Sequence, residues 1–269
     1  SSQSVKIIQK AGLAAGSNVT AQTVVVLSDC FATDFEYGNN VTYFYAVVFE
    51  ASFIERYTDE EIIDVMKTDE NRCTPNDNYV ISFYGLEPQT KHVLFLLGFN
   101  KDGERGELIR KEITTKSGKN QPMAYVDNVT YDAKTNKWCW ETTIGAYSTK
   151  YYQWVLEYNP AFYGSGKDAF VAWTFSKKIK EGVFTPILQS SSWTYTRTAG
   201  VTQFQTVTWG VGQDGELGGT IENTCWILNS NGVKNVNESN RNTAKGIAHI
   251  GMIVNENTLF KGATITRIR

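Results

Sequence analysis

Between Thr23 and Phe49 apolar and polar residues alternate with a period of two. Phe31, Thr33 and Phe35 fall on one face of a segment, and Tyr43, Tyr45, Val47 and Phe49 on one face of the next. Successive side chains of a strand point to opposite sides, so this spacing predicts two strands, each with a covered face. Tyr37 to Asn40 supplies the reversal, because Gly38, Asn39 and Asn40 tolerate positive φ. The period then changes. Thr58-Asp59-Glu60-Glu61 has the spacing of a capping box, with Ile62, Ile63 and Met66 as an apolar stripe behind it, which predicts a short helix. The acidic first turn suits the positive helix end and needs no metal to explain it. Tyr79 to Tyr84 predicts a further strand.

The same order then returns. Gly98 to Glu107 reads Gly-Phe-Asn-Lys-Asp-Gly-Glu-Arg-Gly-Glu, and 112 positions later Gly210 to Gly219 reads Gly-Val-Gly-Gln-Asp-Gly-Glu-Leu-Gly-Gly. Asp-Gly is a favoured turn dipeptide because the φ > 0 it requires costs glycine little, so Asp102, Gly103, Asp214 and Gly215 receive structural roles in two hairpin turns. Upstream, Asn18-Val19-Thr20 recurs as Asn128-Val129-Thr130, and Tyr151 to Glu157 matches Tyr43 to Phe49 at an offset of 108. Tyr125 to Thr130, Lys137 to Thr143 and Tyr151 to Tyr158 are the expected first strands of the second copy. The growth of the offset places an insertion after them. There Ser165-Gly166-Lys167-Asp168 repeats the capping signal, ahead of Phe170, Val171, Trp173 and Phe175.

The organisation expected is a lone strand (Val5 to Ile8) and linker over 1–17, a first unit over 18–118, a polar break from Ser117 to Pro122, a second unit over 122–230, and an extension over 231–269. The Asn-rich run Asn229 to Asn242 reads as a loop. Gly246 to Val254 and Leu259 to Ile268 read as a β-hairpin around Asn255-Glu256-Asn257, packed on the second unit or paired with Val5 to Ile8.

Composition narrows the partners. With 26 Lys plus Arg against 28 Asp plus Glu there is no bulk positive field for phosphates, so nucleic acid is not an expected partner. Cys30, Cys73, Cys139 and Cys225 form no CxxC pair and indicate neither a zinc nor a redox motif. No apolar run approaches the roughly 20 residues of a membrane span, and the opening Ser-Ser-Gln-Ser lacks a charged and then apolar leader, as expected of a soluble or already processed product.

A family resemblance enters at Gly85-Leu86-Glu87-Pro88-Gln89-Thr90-Lys91-His92. Leu86, Pro88 and Thr90 match the Leu-x-Pro-x-Thr-x-Tyr run around the tyrosine corner of fibronectin type III domains, and the chain resembles that family most closely from Leu86 to Thr115. The resemblance implies an all-β fold of two tandem antiparallel β-sandwiches of fibronectin type III/immunoglobulin-like kind, here each with a short helical insertion, plus the C-terminal β-hairpin. His92 stands where the family has its tyrosine, and a ring N–H suits the same structural purpose. In the second copy Thr198, Gly200 and Phe204 replace Leu86, Pro88 and His92, and only Thr202 keeps its match.

Val5-Lys6-Ile7-Ile8-Gln9 resembles the closing strand of small β-sandwich domains in Bacteroidetes surface proteins. The Tyr-rich strand, the Tyr-Thr-Asp-Glu-Glu-Ile-Ile helix and the Lys-Asp-Gly-Glu-Arg-Gly-Glu turn together look like those of exported lipoproteins of Bacteroides and relatives. This implies export to the outer-membrane cell surface or periplasm, and leaves room for a lipid anchor upstream. The tandem sandwich with no catalytic constellation points to a non-catalytic binding, adhesion or spacer module whose partner is a protein or a glycan. The alternative is a carbohydrate-binding accessory protein of a polysaccharide-utilisation system using second-unit aromatics, and a third idea is an enzyme drawing carboxylates from both units.

Catalytic material is sparse. His92 and His249 are the only histidines, each beside apolar residues, so a histidine metal site or triad is not expected. Gly164-Ser165-Gly166-Lys167 lacks the Walker spacing, since Ala161 stands at the glycine place and Asp168 at the Ser/Thr place. Asn100, Asp102 and Glu104 have the spacing of calcium ligands, but Arg105 and Lys111 occupy the glycine and bidentate positions. No metal and no cofactor are expected. All seven tryptophans lie at or beyond Trp138. Trp140, Trp154 and Trp209 fall on core strands, and Trp138 shares a face with Trp140, whereas Trp173 and Trp193 fall in the insert and loop region and are the candidates for an exposed ligand-stacking platform, against core packing as the alternative.

Overall fold

A computed structural model describes residues 12–164, 166–236, 246–249 and 265–268. In the first copy of the repeat the elements are β1 (Val19–Val26), β2 (Cys30–Tyr37), β3 (Tyr43–Glu50), α1 (Ala51–Ile54), α2 (Asp59–Met66), β4 (Arg72–Cys73), β5 (Val80–Tyr84), β6 (Lys91–Phe99) and β7 (Ile109–Thr114). In the second they are β8 (Ala124–Asp132), β9 (Lys137–Ile144), β10 (Lys150–Glu157), α3 (Asp168–Lys180), β11 (Ser191–Thr196), β12 (Gln203–Val211), β13 (Glu222–Asn229) and β14 (Gly232–Val236), followed by β15 (Gly246–His249) and β16 (Ile265–Ile268). The strands form four small antiparallel sheets, ordered β1-β2-β5-β15, β4-β3-β6-β7, β16-β11-β9-β8 and β10-β12-β13-β14. Among the described residues no helix is long and apolar enough to cross a membrane.

The chain divides into two compact units. The first comprises the described residues of Ser1–Thr23 with Asp34–Tyr79 and Lys91–Thr114. In it β3 and β6 pair from Tyr43 opposite Phe99 to Glu50 opposite His92. Tyr43, Tyr45, Val47 and Phe49 share a cluster with Val93, Phe95, Leu97 and Phe99, which Ile62, Ile63 and Met66 of α2 join. The helix starts as its sequence predicts: Thr58 Oγ1 accepts from the Glu61 N–H at 3.3 Å, and the Glu61 carboxylate accepts from the Thr58 N–H at 2.7 Å. Its first turn is also ion-paired, Glu60 with Arg105 at 3.2 Å and Asp59 with Arg110.

The second unit comprises Val24–Thr33, Val80–Thr90 and the described part of Thr115–Arg269. One of its clusters joins Trp138, Trp140, Trp193 and Tyr195 from β9 and β11 to Val155, Phe204 and Trp226 from β10, β12 and β13, so residues of both second-copy sheets share one core. Another surrounds α3, where Ala169 to Ser176 are buried without interruption. A helix apolar all round requires cover on more than one side. It packs with Trp154, Leu156, Val207 and Trp209 of β10 and β12, and with Leu27, Cys30, Ala32 and Val80 of the β1–β2 hairpin and β5. This explains why the second unit takes in the middle of that hairpin.

The structure corrects several expectations. Lys150, not Tyr151, pairs with Val211, as Tyr43 pairs with Phe99, so the third strands correspond at an offset of 107 rather than 108. A one-residue slip exchanges the faces of a strand, and the buried run Tyr151, Gln153 to Leu156 hides that difference in the sequence. The insertion helix begins at Asp168, behind Lys167, whose side chain makes no capping bond, and Ser165, the first residue of the expected capping signal, lies outside the described residues. The Asn-rich run expected as a loop contains β14, which reverses onto β13 through Asn229 to Gly232, with Gly232 at φ 107°. Finally, β15 pairs with β5 and β16 with β11, so these two described strands extend different sheets, and the expected reversal around Asn255-Glu256-Asn257 lies outside the described residues. The Val5 to Ile8 segment lies outside the described residues.

Candidate functional site

The repeated turn has the same backbone in both copies. Gly103 donates to the Asn100 carbonyl at 3.1 Å, Asn100 to that of Glu104 at 3.0 Å and Gly106 to that of Gly98 at 2.9 Å; Gly215, Gly212 and Gly218 do the same to Gly212, Glu216 and Gly210 at 3.0, 2.9 and 2.9 Å. Gly103 and Gly215 sit at φ 77° and 82°, the left-handed region where glycine meets no Cβ penalty. The outer glycines have a different cause. A Cβ on Gly98 would lie 2.1 Å from the Ser17 carbonyl oxygen, and one on Gly210 would lie 2.4 Å from the Pro122 carbonyl, because the chain crosses each hairpin there just ahead of β1 and β8.

In the second unit this crossing leaves a cleft of about 690 Å³. Its walls are the segment 116–122, the β9–β10 loop at Ala146 and Tyr147, and the turn from Gly212 to Gly218. The first wall is tied down by Gln121, whose Oε1 accepts from Gly219 N–H at 2.6 Å while its Nε2 donates to the Lys119 carbonyl at 3.0 Å. Lys116 donates through Nζ to the Leu217 carbonyl at 2.6 Å. Burial holds its ammonium pKa below the usual 10.5, against the opposing influence of Glu216 and Asp214. The loop wall is fixed to Met123: its carbonyl accepts from Gly145 N–H at 2.8 Å and from Ser148 Oγ at 2.7 Å. Between those anchors Tyr147 is 53% exposed. Beneath the turn, Trp209 Nε1 donates to the Gly218 carbonyl at 2.8 Å, joining the cleft floor to the core.

The first copy shows what the second has changed. Gly38-Asn39-Asn40 corresponds to Gly145-Ala146-Tyr147, since Val41 donates to Gly38 and Ser148 to Gly145, both at 3.1 Å, and Thr42 and Thr149 donate to Phe99 and Val211. Asn40 is spent on its own framework, its Nδ2 donating to the Ala15 carbonyl at 2.9 Å. Glu104 accepts from Asn100 Nδ2 at 2.9 Å, and Arg105 pairs with Glu60. At the corresponding places of the second copy stand Tyr147, Glu216 opposite a side-chain-free Gly212, and Leu217. The first unit has its own smaller cavity of about 310 Å³, lined by the ion-paired Asp59, Glu60, Arg105 and Arg110.

Trp173 and Trp193 do not form a ligand platform. Trp173 is 4% exposed on α3 and Trp193 is 9% exposed on β11, opposite Trp140, and each belongs to an apolar cluster. A stacking face must be open to its ligand, and here the core-packing alternative holds. Trp138, Trp140, Trp154 and Trp209 are buried as well. His92 is 1% exposed on β6, between Glu50 and Ile113 in register. Asp102 and Gly103 lie in the first turn; Asp214 lines the cleft, its Oδ1 accepting from Glu216 N–H at 3.0 Å, and Gly215 completes that turn. Sequence reasoning missed Tyr147, although aligning the two Gly-led loops would have shown an aromatic ring in place of Asn40.

A second polar group lies at the start of α3. Asn223 Nδ2 donates to the Phe162 carbonyl at 2.9 Å and to the Asp168 carboxyl at 3.3 Å, and Gln205 Nε2 donates to Phe162 and to Asn223 Oδ1. Burial pushes the Asp168 pKa up to about 8; the Asn223 bond opposes this, and the Asp29 and Glu222 carboxylates add to it. Among the described residues no group of three or more His, Cys, Asp or Glu side chains is placed to hold a metal ion. The four cysteines are free thiols, and burial raises that of Cys73 to about 12. The sequence matches no protein-family model, and no curated protein matches it.

Proposed function

We propose that this chain is a non-catalytic binding module of an exported bacterial surface protein, built from two tandem fibronectin type III-like sandwiches, and that the cleft beside Tyr147 is its binding site. The strand orders support this reading: the runs β1-β2-β5, β4-β3-β6-β7, β11-β9-β8 and β10-β12-β13 each follow an order found in the sheets of such sandwiches. Fold alone does not fix function, so the functional reading rests on one observation. The second copy keeps the turn framework of the first but replaces the self-bonded Asn40 with the exposed ring of Tyr147, above a rigid, mixed polar wall. A largely pre-formed cleft with a few fixed polar groups is the usual form of a small-ligand site.

The test is an immobilised panel of peptides, proteins and glycans probed with the wild type and with Tyr147→Ala, followed by recovery of the captured molecule. Capture that depends on Tyr147 and returns the ligand chemically unchanged is the expected result. Capture that survives Tyr147→Ala removes the cleft as the site, and a chemically altered ligand removes the non-catalytic assignment.

A further inference from the structure

We infer that the cleft of the second copy binds a short neutral oligosaccharide, with a sugar ring laid against Tyr147 and its hydroxyls shared among the side chains of the turn and the 116–122 segment. This deepens the binding reading above and rests on it. The ligand class follows from what the wall offers and what it opposes. Asp214 and Glu216 bring two carboxylates, while Lys116 brings an ammonium into the same cavity. A simple anion meets the carboxylates, and a simple cation meets the ammonium, so neither charge finds a matched site. The remaining polar wall offers the amides of Asn120 and Gln213, which both donate and accept, while Gln121 is held by its bonds to Gly219 and Lys119. Carboxylates and amides at fixed positions suit a ligand that carries donors and acceptors on the same group, which is the property of a hydroxyl.

The aromatic ring supplies the other half of the recognition. Tyr147 is exposed by 53%, while its loop is fixed at both ends, through Gly145 and Ser148 to Met123 and through Thr149 to Val211. A loop already held in place loses little backbone freedom on binding, and the face of its ring takes apolar C–H surface. A ligand with hydroxyls around its edge and C–H groups on its face satisfies both walls. The volume of about 690 Å³ is in the range of sites that hold compact organic ligands. The first copy provides an internal contrast, because Asn40, Glu104 and Arg105 already bond to Ala15, Asn100 and Glu60.

The experiment is calorimetric titration of the full chain with neutral cello-, xylo-, manno- and malto-hexaose, with an oligogalacturonate as the acidic arm, and with a chitosan oligomer and an oligolysine peptide as basic arms. At least one neutral hexaose is expected to bind saturably. Tyr147→Asn, which installs the first-copy residue, should weaken it about tenfold, the equivalent of roughly 1.4 kcal/mol. Tyr147→Phe should hold affinity within about twofold, because the stacking face survives. Asn40→Ala should leave affinity unchanged. Binding of an acidic or basic probe alone, sensitive to Tyr147→Asn, overturns the saccharide assignment and leaves the binding reading standing. Neutral binding indifferent to Tyr147→Asn overturns the site. No binding by any probe here or in the wider panel overturns both.

Discussion

Truncating Phe175 to alanine tests whether α3 is the centre of the second unit's core. The ring is fully buried, with centroids 4.9 Å from Phe184, 5.6 Å from Trp154 and 6.1 Å from Trp209, in edge and tilted arrangements. Removing a buried phenylalanine forfeits its transfer free energy and leaves a cavity that neighbours only partly fill, a cost of about 3–5 kcal/mol. The surroundings are poorly placed to collapse, because the cluster draws on α3, β10, β12 and the β1–β2 hairpin, and a shift toward the void by one strains its contacts with the others. Against a total stability of about 5–15 kcal/mol this is a large fraction. Equilibrium guanidinium unfolding followed by tryptophan fluorescence should show a lower midpoint with the slope retained. The control is Leu188→Ala, 70% exposed and expected to change stability by no more than about 0.5 kcal/mol. A loss below about 1 kcal/mol for Phe175→Ala would refute the placement of α3 as core.

Further outcomes follow from the same geometry. Gly98→Ala and Gly210→Ala put a Cβ 2.1 Å and 2.4 Å from backbone atoms, and should each cost about 3 kcal/mol or more, the upper end of ordinary overpacking. Gly103→Ala meets no atom within 4 Å and should cost only the roughly 1–2 kcal/mol of a left-handed residue; denaturation midpoints that rank Gly103→Ala as the worse change would contradict the crossing-chain explanation. Asp168, with its folded pKa raised to about 8 from 3.8, binds more protons folded than unfolded between those values, so its contribution to stability falls as pH rises through that window. Asp168→Asn should therefore gain stability relative to wild type from about pH 4 to pH 8 and level off above, and an advantage independent of pH would count against this. Thr58→Ala removes the α2 capping box and should lower stability by about 1 kcal/mol in the same unfolding assay, with no measurable loss arguing that the cap contributes nothing.

The parts legible in the sequence are those where local chemistry allows one solution. Asp-Gly at 102–103 and 214–215 marks two turns because φ near 80° favours glycine, and the flanking glycines repeat because a neighbouring chain segment excludes a side chain. The α2 helix is legible because its cap, acidic turn and stripe agree. What was lost is decided by packing at a distance. Both faces of β10 are buried, so alternation could not set its register. The sequence places Trp193 in the insert and loop region, whereas β9 pairs with that segment and the ring is buried. β15 and β16 were legible as strands but not as members of separate sheets, since each adds to an existing sheet, β15 beside β5 and β16 beside β11. Tyr147 has no period to announce it, being one aromatic residue in a loop.

The most direct test of the proposed site is backbone amide hydrogen exchange of the full chain, with and without a saturating neutral hexaose. Added protection is expected at 117–121, 146–149 and 213–219, with no change at the first-copy turn 100–106. Protection at the first-copy turn instead, or exchange unaltered at all three second-copy segments while the sugar is bound, would contradict the assignment of the cleft beside Tyr147.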